Sequence, residues 1–179
     1  MSEQSDSWRI EADPTKEFFV FMLTRDIDLD DAVTDLIDNS VDGARRLRSR
    51  GRYDGLRVEI DVTREHFLID DNCGGIPVDV ARKYAFRFGR VQDTPSTPGS
   101  IGQFGVGMKR GLFKLGRNFR IESTAERSRF VVEIDVAAWQ RQKEWDFTIA
   151  DLQQPPTPFP ESDHGTRIEV TNLIRVYAE

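Results

Sequence analysis

Asp35-Leu36-Ile37-Asp38-Asn39-Ser40-Val41-Asp42 is the stretch on which the reading of this chain turns. Around it Ala32, Val33, Leu36, Ile37, Ser40, Ala44 and Leu47 recur at helical spacing. That spacing predicts a helix from Asp31 to about Arg50, capped by Asp30 and stopped by Gly51. On such a helix Asp35, Asn39 and Asp42 stand at i, i+4 and i+7 and share one side, with Asp38 rotated away. A carboxamide between carboxylates offers hard oxygen ligands. These suit Mg²⁺, which takes few protein ligands and fills its shell with phosphates and water. The same pattern also describes the solvated face of an amphipathic helix, so the neighbouring segments have to decide.

Upstream, Thr15 is expected to cap a short helix, Lys16 to Leu23, with Phe18, Phe19 and Met22 as its apolar face. Downstream, Leu56 to Val62 alternates as a strand, with Leu56, Val58, Ile60 and Val62 on one side. A turn at Arg64–Glu65 leads to a strand Phe67 to Ile69, and Pro77 opens a helix to about Phe86. Residues 87–107 are rich in Gly, Pro, Ser and Thr and read as a loop emptying into a helix at Val106 to Leu115. Strands are expected at Phe119 to Ser123, Phe130 to Ile134, Phe147 to Ala150 and Thr166 to Val170. A short helix is expected at Ala137 to Gln142, and a proline-rich loop at Pro155 to Pro160. Mixed helices and hairpins followed by strands describe an α+β protein.

Composition bounds the rest. A chain of 179 residues is one domain's worth, with enough apolar residues for a core without a metal or disulfide staple. The single cysteine, Cys73, excludes an internal disulfide and a cysteine-built zinc site. No apolar run approaches a membrane span, and the polar, acidic opening lacks the features of a signal peptide, so a cytoplasmic protein is expected. Charge is uneven: net −9 over residues 1–43, +8 over 44–130 and −5 over 131–179. A basic middle third in an acidic protein is what handling an anion would need, although solvated surface explains it equally.

Three further segments carry chemistry. Asp70-Asp71-Asn72-Cys73-Gly74-Gly75-Ile76-Pro77 places an acid at the end of an apolar strand before a Gly–Gly turn. There a carboxylate can accept from an exocyclic amine while the backbone approaches a ligand closely. Gly102-Gln103-Phe104-Gly105-Val106-Gly107 precedes a helix start, where successive N–H groups and the helix dipole favour phosphate, with Lys109, Arg110 and Lys114 nearby. It is neither a Walker loop nor a Rossmann turn. His164-Gly165-Thr166 opens a strand and says little alone.

Together, in this order, the four segments resemble the ATP-binding domain of the GHKL superfamily, which includes gyrase B, the ninety-kilodalton heat-shock chaperones, histidine kinases and MutL. Residues 105–116 are similar to MORC-type ATPases in particular. The resemblance implies a two-layer α/β sandwich of the Bergerat type, a mixed sheet covered by helices on one face. It implies ATP and Mg²⁺ as cofactors, with Asn39 as metal ligand and Asp42 beside it. Asp71 would accept from the adenine amino group, with Thr166 joining through water and Gly75 and Ile76 against the base. Gly102, Gln103, Phe104, Gly105, Val106 and Gly107 would wrap the phosphates, and residues 87–101 would form a lid that orders with nucleotide.

Where hydrolysing members carry a water-orienting Glu, this chain has Asp35, shorter by roughly 1.5 Å of reach. A misplacement of about 1 Å costs on the order of 10²-fold, so slow hydrolysis is expected. Cys73 replaces the first glycine of the adenine turn. In the relatives a lysine from a following domain completes the γ-phosphate site; residues 1–179 are therefore expected to be a single ATP-binding domain, the N-terminal part of a longer protein. The reading is an ATPase whose lid closure gates dimerisation or the action of a protein or nucleic-acid client. The alternatives are a non-hydrolysing nucleotide sensor and a protein kinase of the anti-sigma or histidine-kinase type. His66 and His164 fall in a turn and before a strand, with no phospho-accepting hairpin around them. Arginines at 45, 46, 48, 50 and 52 could meet DNA phosphates, or simply favour a helix C-terminus.

Overall fold

The computed structural model describes residues 10, 12–48, 51–89 and 106–174. Helix α1, Lys16–Thr24, starts where its cap was expected: the Thr15 side chain accepts from Phe18 N. Its buried face is the surprise. Lys16 and Val20 point inward, whereas Phe18 is 57% exposed and Phe21 and Met22 are exposed with it. The expected apolar face is thus largely outside. The reason is a partner for the ammonium: Lys16 Nζ donates to the carbonyls of Trp139 and Gln142, both at 2.8 Å, and of Glu144 at 2.5 Å. It also lies 4.6 Å from the centre of the Trp139 ring. A fully bonded lysine can take a buried position that composition reserves for an apolar residue.

Helix α2, Leu29–Leu47, begins two residues before the expected start, with Asp28 rather than Asp30 at the N-cap position and no side-chain capping bond there. Asp30 and Asp31 lie in its first turn and Arg45 and Arg46 in its last, each end carrying the charge its dipole favours. Strands β1, Val58–Val62, and β2, His66–Asp71, follow, so His66 belongs to a strand rather than to the expected turn. One short helical turn, α3 (Val78–Val80), runs into a π-helical turn over Ala81–Ala85 where a continuous helix was expected. Helix α4, Gly107–Leu115, leads directly into β3, Gly116–Ala125. Then come β4 (Ser128–Asp135), helix α5 (Val136–Arg141), β5 (Ile149–Gln153), a 3₁₀ turn (Glu161–Asp163) and β6 (Gly165–Leu173).

The six strands form one sheet in the order β1-β2-β6-β3-β4-β5, and all five pairings are antiparallel. The α+β, helix-on-sheet architecture expected from the sequence is present, but the sheet is antiparallel rather than mixed. β6 is inserted between β2 and β3, so the last strand among the described residues lies at the centre of the sheet. One face carries Phe67, Ile69, Phe119, Ile121, Phe130, Val132, Ile134, Ile168 and Val170, all buried under the helices. The opposite face carries charge, including the Arg167–Asp70 pair at 3.0 Å. Edge strand β1 reaches beyond that cover: Ile60 is exposed and Val62 is 65% exposed, although the two share a side with Val58 as the alternation predicted. At the other end Trp139, Trp145, Phe88, Phe113 and Phe147 stack and tilt against one another, with Phe113–Trp139 centroids 5.7 Å apart. Among the described residues no helix is long and apolar enough to cross a membrane.

Helices α2 and α4 cross at close range because α4 is stripped of side chains on the contact side. A Cβ on Gly111 would lie 2.6 Å from the Ala32 carbonyl oxygen, and one on Gly107 would lie 3.2 Å from Asp35 Oδ1. This crossing brings the first turn of α4 against the middle of α2, where the sequence places its acids.

Candidate functional site

Asp71 closes β2, and its pairing register puts it opposite Thr166 of β6, which in turn lies opposite Ser123 of β3. The three side chains therefore share one row on the helix-covered face. Ser40 of α2 reaches down to that row and donates to Asp71 Oδ2 at 2.6 Å. The backbone N–H groups of Cys73 and Thr166 donate to Oδ1 at 2.8 and 3.3 Å. Burial pushes the Asp71 carboxyl above the usual range, and these three donors pull against that shift. Thr166 Oγ1 and Ser123 Oγ are 2.9 Å apart, and Ser123 Oγ also accepts from Ile76 N at 2.8 Å. The result is a bonded chain across α2, β2, β6 and β3 that fixes both the carboxylate and the turn following it.

The turn is built by close backbone approach. Gly75 has φ of +65°, and a Cβ there would lie 2.0 Å from the Thr124 carbonyl oxygen. The space that a side chain at Gly75 would need is thus taken by strand β3. Cys73, also in this turn, is buried; burial and the nearby Asp71 charge raise its thiol to about 11.

On either side of Ser40 along α2 the acids cluster. Asn39 is exposed and donates its Nδ2 to the Asp35 backbone carbonyl at 2.5 Å, which commits the amide nitrogen to the helix and leaves Oδ1 as the remaining polar atom of the amide. Asp38 lies within the field of Asp35 and Asp42; burial first, and then those two charges, raise its pKa. An amide oxygen among crowded carboxylates fits a hard divalent cation that also carries phosphate oxygens. Among the described residues no three acidic, histidine or cysteine side chains converge into a self-contained metal cage. Asp42 is buried on the inner side of α2 and lies 3.5 Å from Arg45, so it does not share the open side with Asn39.

Asp35 meets Arg110 of α4. Nε donates to Oδ2 at 2.8 Å and Nη2 to Oδ1 at 3.0 Å, a two-pronged ion pair that holds the Arg110 pKa up. Lys109 beside it is buried and donates to the Ala85 carbonyl at 2.8 Å; burial lowers its pKa to about 8.

The structure thus brings Asp71, Thr166 and Ile76 together around one polar network, and Asp35, Asn39 and Gly107 around the α2–α4 crossing. Val106 caps α4. Gly102, Gln103, Phe104 and Gly105 lie outside the described residues, as does the expected lid beyond residue 89. Ser40 and Ser123 were not assigned to a site from sequence, and Arg110 was named only as positive charge near the phosphate-binding segment. Ser40 had been placed on the inner side of α2 but without a partner, and Ser123 reaches Asp71 only through strand register. Of the arginine run, Arg45 and Arg48 are engaged with Asp42 and Glu161. His66 lies 2.9 Å from Asp61 and His164 3.1 Å from the Phe159 carbonyl oxygen. A cleft of about 270 Å³ is bounded by Arg48, Asp54, Asn72 and Glu161, and Asp35, Asn39 and Asp71 do not line it.

This sandwich, with an acid at the end of β2 and an acid-rich helix lying over it, is the architecture of a nucleotide-binding ATPase domain. The chain belongs to the family described as histidine kinase-, DNA gyrase B- and HSP90-like ATPases, whose model matches residues 27–166. That span takes in α2, the Asp71 turn, α4 and the start of β6, and membership implies ATP binding. No curated protein matches the chain.

Proposed function

We propose that this domain binds ATP with Mg²⁺ and hydrolyses it slowly. The observation that carries the reading is Asp71: a carboxylate fixed by Ser40, Cys73 and Thr166 at the end of β2, next to a turn that Ser123 holds through Ile76. Its position suits an acceptor for the adenine amino group, with Thr166 able to act through a water. Asn39 offers its oxygen to the cation, and Mg²⁺ bound there would supply charge neutralisation to the phosphates. Asp35 is the candidate water-orienting base, and the N-terminus of α4 favours an anion. Nucleotide-gated dimerisation, a protein or nucleic-acid client and a MORC-like working cycle extend the same reading.

A specific observation favours a second reading, a nucleotide sensor that does not hydrolyse. Both carboxylate oxygens of Asp35 already accept from Arg110. One experiment separates the two: ATP binding by calorimetry with and without Mg²⁺, followed by single-turnover hydrolysis for wild type and Asp35→Asn. Loss of turnover in Asp35→Asn with binding kept supports the ATPase. Binding without turnover in either protein supports the sensor. An Asn39→Ala variant that binds MgATP normally would remove Asn39 from the site.

A further inference from the structure

We infer that Arg110 reads the terminal phosphate of the nucleotide, holding Asp35 with one edge of its guanidinium and offering the other edge to the anion. The inference rests on the ATP reading above. Arginine carries five N–H donors in a planar fork. Nε and one N–H of Nη2 are spent on Asp35. Among the described residues the Nη1 group has no partner, and the Arg110 side chain is 34% exposed against 17% for Asp35. The pair is therefore anchored on its carboxylate side and open on the other.

The surroundings give that open edge a use. Asp35 stands one helical turn from Asn39, the candidate cation ligand, and its Oδ1 lies against Gly107 at the start of α4. Asp31 lies within the field of Arg110 as well, so α2 presents a line of negative charge. A phosphate approaching Asp35 would meet that charge, and Arg110 is the cation placed to cancel it while donating to a third oxygen. Gly107 and Gly111 allow α4 to come close enough for an arginine to span the two helices. A lysine could neutralise the charge but, as a point donor, could not hold Asp35 and a phosphate oxygen in fixed directions together.

The test compares the dissociation constants of the β,γ-imido analogue of ATP and of ADP, both with Mg²⁺, by calorimetry. Wild type should prefer the triphosphate. Arg110→Gln should lose about tenfold of that preference, the order expected for one charge-assisted hydrogen bond, while ADP binding stays within about twofold. If Arg110→Gln does not fold, Arg110→Lys carries the test and should lose part of the preference. A wild type without preference, a preference unchanged in both variants, or an equal loss for both nucleotides overturns the inference and leaves Arg110 as a helix–helix tie. If wild type binds neither nucleotide, the ATP reading itself fails; where wild type binds both, Asp71→Asn provides the contrast because it should weaken both nucleotides alike.

Discussion

Replacing Asp71 with Asn separates what the carboxylate does for the fold from what it does for a ligand. In the folded chain Oδ1 accepts from two backbone N–H groups and Oδ2 from the Ser40 hydroxyl. An asparagine can keep its oxygen toward Cys73 and Thr166 and turn its NH₂ toward Ser40 Oγ, which accepts as readily as it donates. The charge that burial penalises is gone, so the unfolding free energy should stay within about 1 kcal/mol of wild type or rise. An adenine amino group, by contrast, would face an NH₂ donor in place of an acceptor. Losing a hydrogen bond to a charged acceptor costs about 1.5–3 kcal/mol, so ATP affinity should fall about 10- to 150-fold. Urea unfolding and calorimetry measure the two quantities on the same sample. A loss of stability above about 3 kcal/mol with affinity intact would refute the argument and make Asp71 a structural acid. The pH dependence has an unusual sign. Because the folded pKa is raised above 3.8, the folded chain takes up a proton more readily than the unfolded one. Stability from this group therefore increases as pH falls through the folded pKa, while ATP affinity declines because the accepting carboxylate is lost. Asp71→Asn should remove both trends.

Lys16→Met should lower stability by about 2–4 kcal/mol, because three carbonyl oxygens at the end of α5 lose their donor, and should leave nucleotide affinity unchanged. Denaturant unfolding with Trp fluorescence reads it directly, since Trp139 and Trp145 lie over the ammonium. Gly75→Ala and Gly55→Ala form a matched pair. Both positions have positive φ, +65° and +80°, but a Cβ on Gly75 would strike Thr124, whereas one on Gly55 meets nothing within 4 Å. Gly55→Ala should cost about 1 kcal/mol and Gly75→Ala at least about twice that in urea midpoint experiments. Cys73, with its thiol raised from 9.0 to about 11, should react with iodoacetamide at pH 8 at least about 100-fold more slowly in the folded chain than in urea, followed by mass spectrometry.

Local chemistry was legible in the sequence where one residue decides it. Thr15 caps α1 because its hydroxyl serves Phe18 three residues on, and α4 starts within one residue of its expected position because glycine ends where the apolar period begins. What pairing decides was hidden. Nothing local tells β6 to enter between β2 and β3; the family resemblance joined Asp71 to Thr166, but Ser123 passed as an ordinary strand serine. α1 went wrong for a related reason: Lys16 is buried by carbonyls more than 120 residues away, and that bond turns the helix so that Phe18 faces out.

Asp35 and Arg110 carry this argument furthest. From sequence alone Asp35 looks like a shortened glutamate, a base set back by one methylene. In the fold its carboxylate is where the Arg110 fork closes on it at 2.8 and 3.0 Å, and where Gly107 leaves room for it. A glutamate at position 35 would carry its carboxylate roughly 1.5 Å further, past the fork and toward the first turn of α4. The shorter acid and the arginine in α4 are therefore one feature, fitted to each other across the α2–α4 crossing. On that geometry Asp35→Glu does not restore a missing reach. The longer acid has to re-form the Arg110 pair in a new geometry, so any rate that follows reports that rearrangement as well as reach.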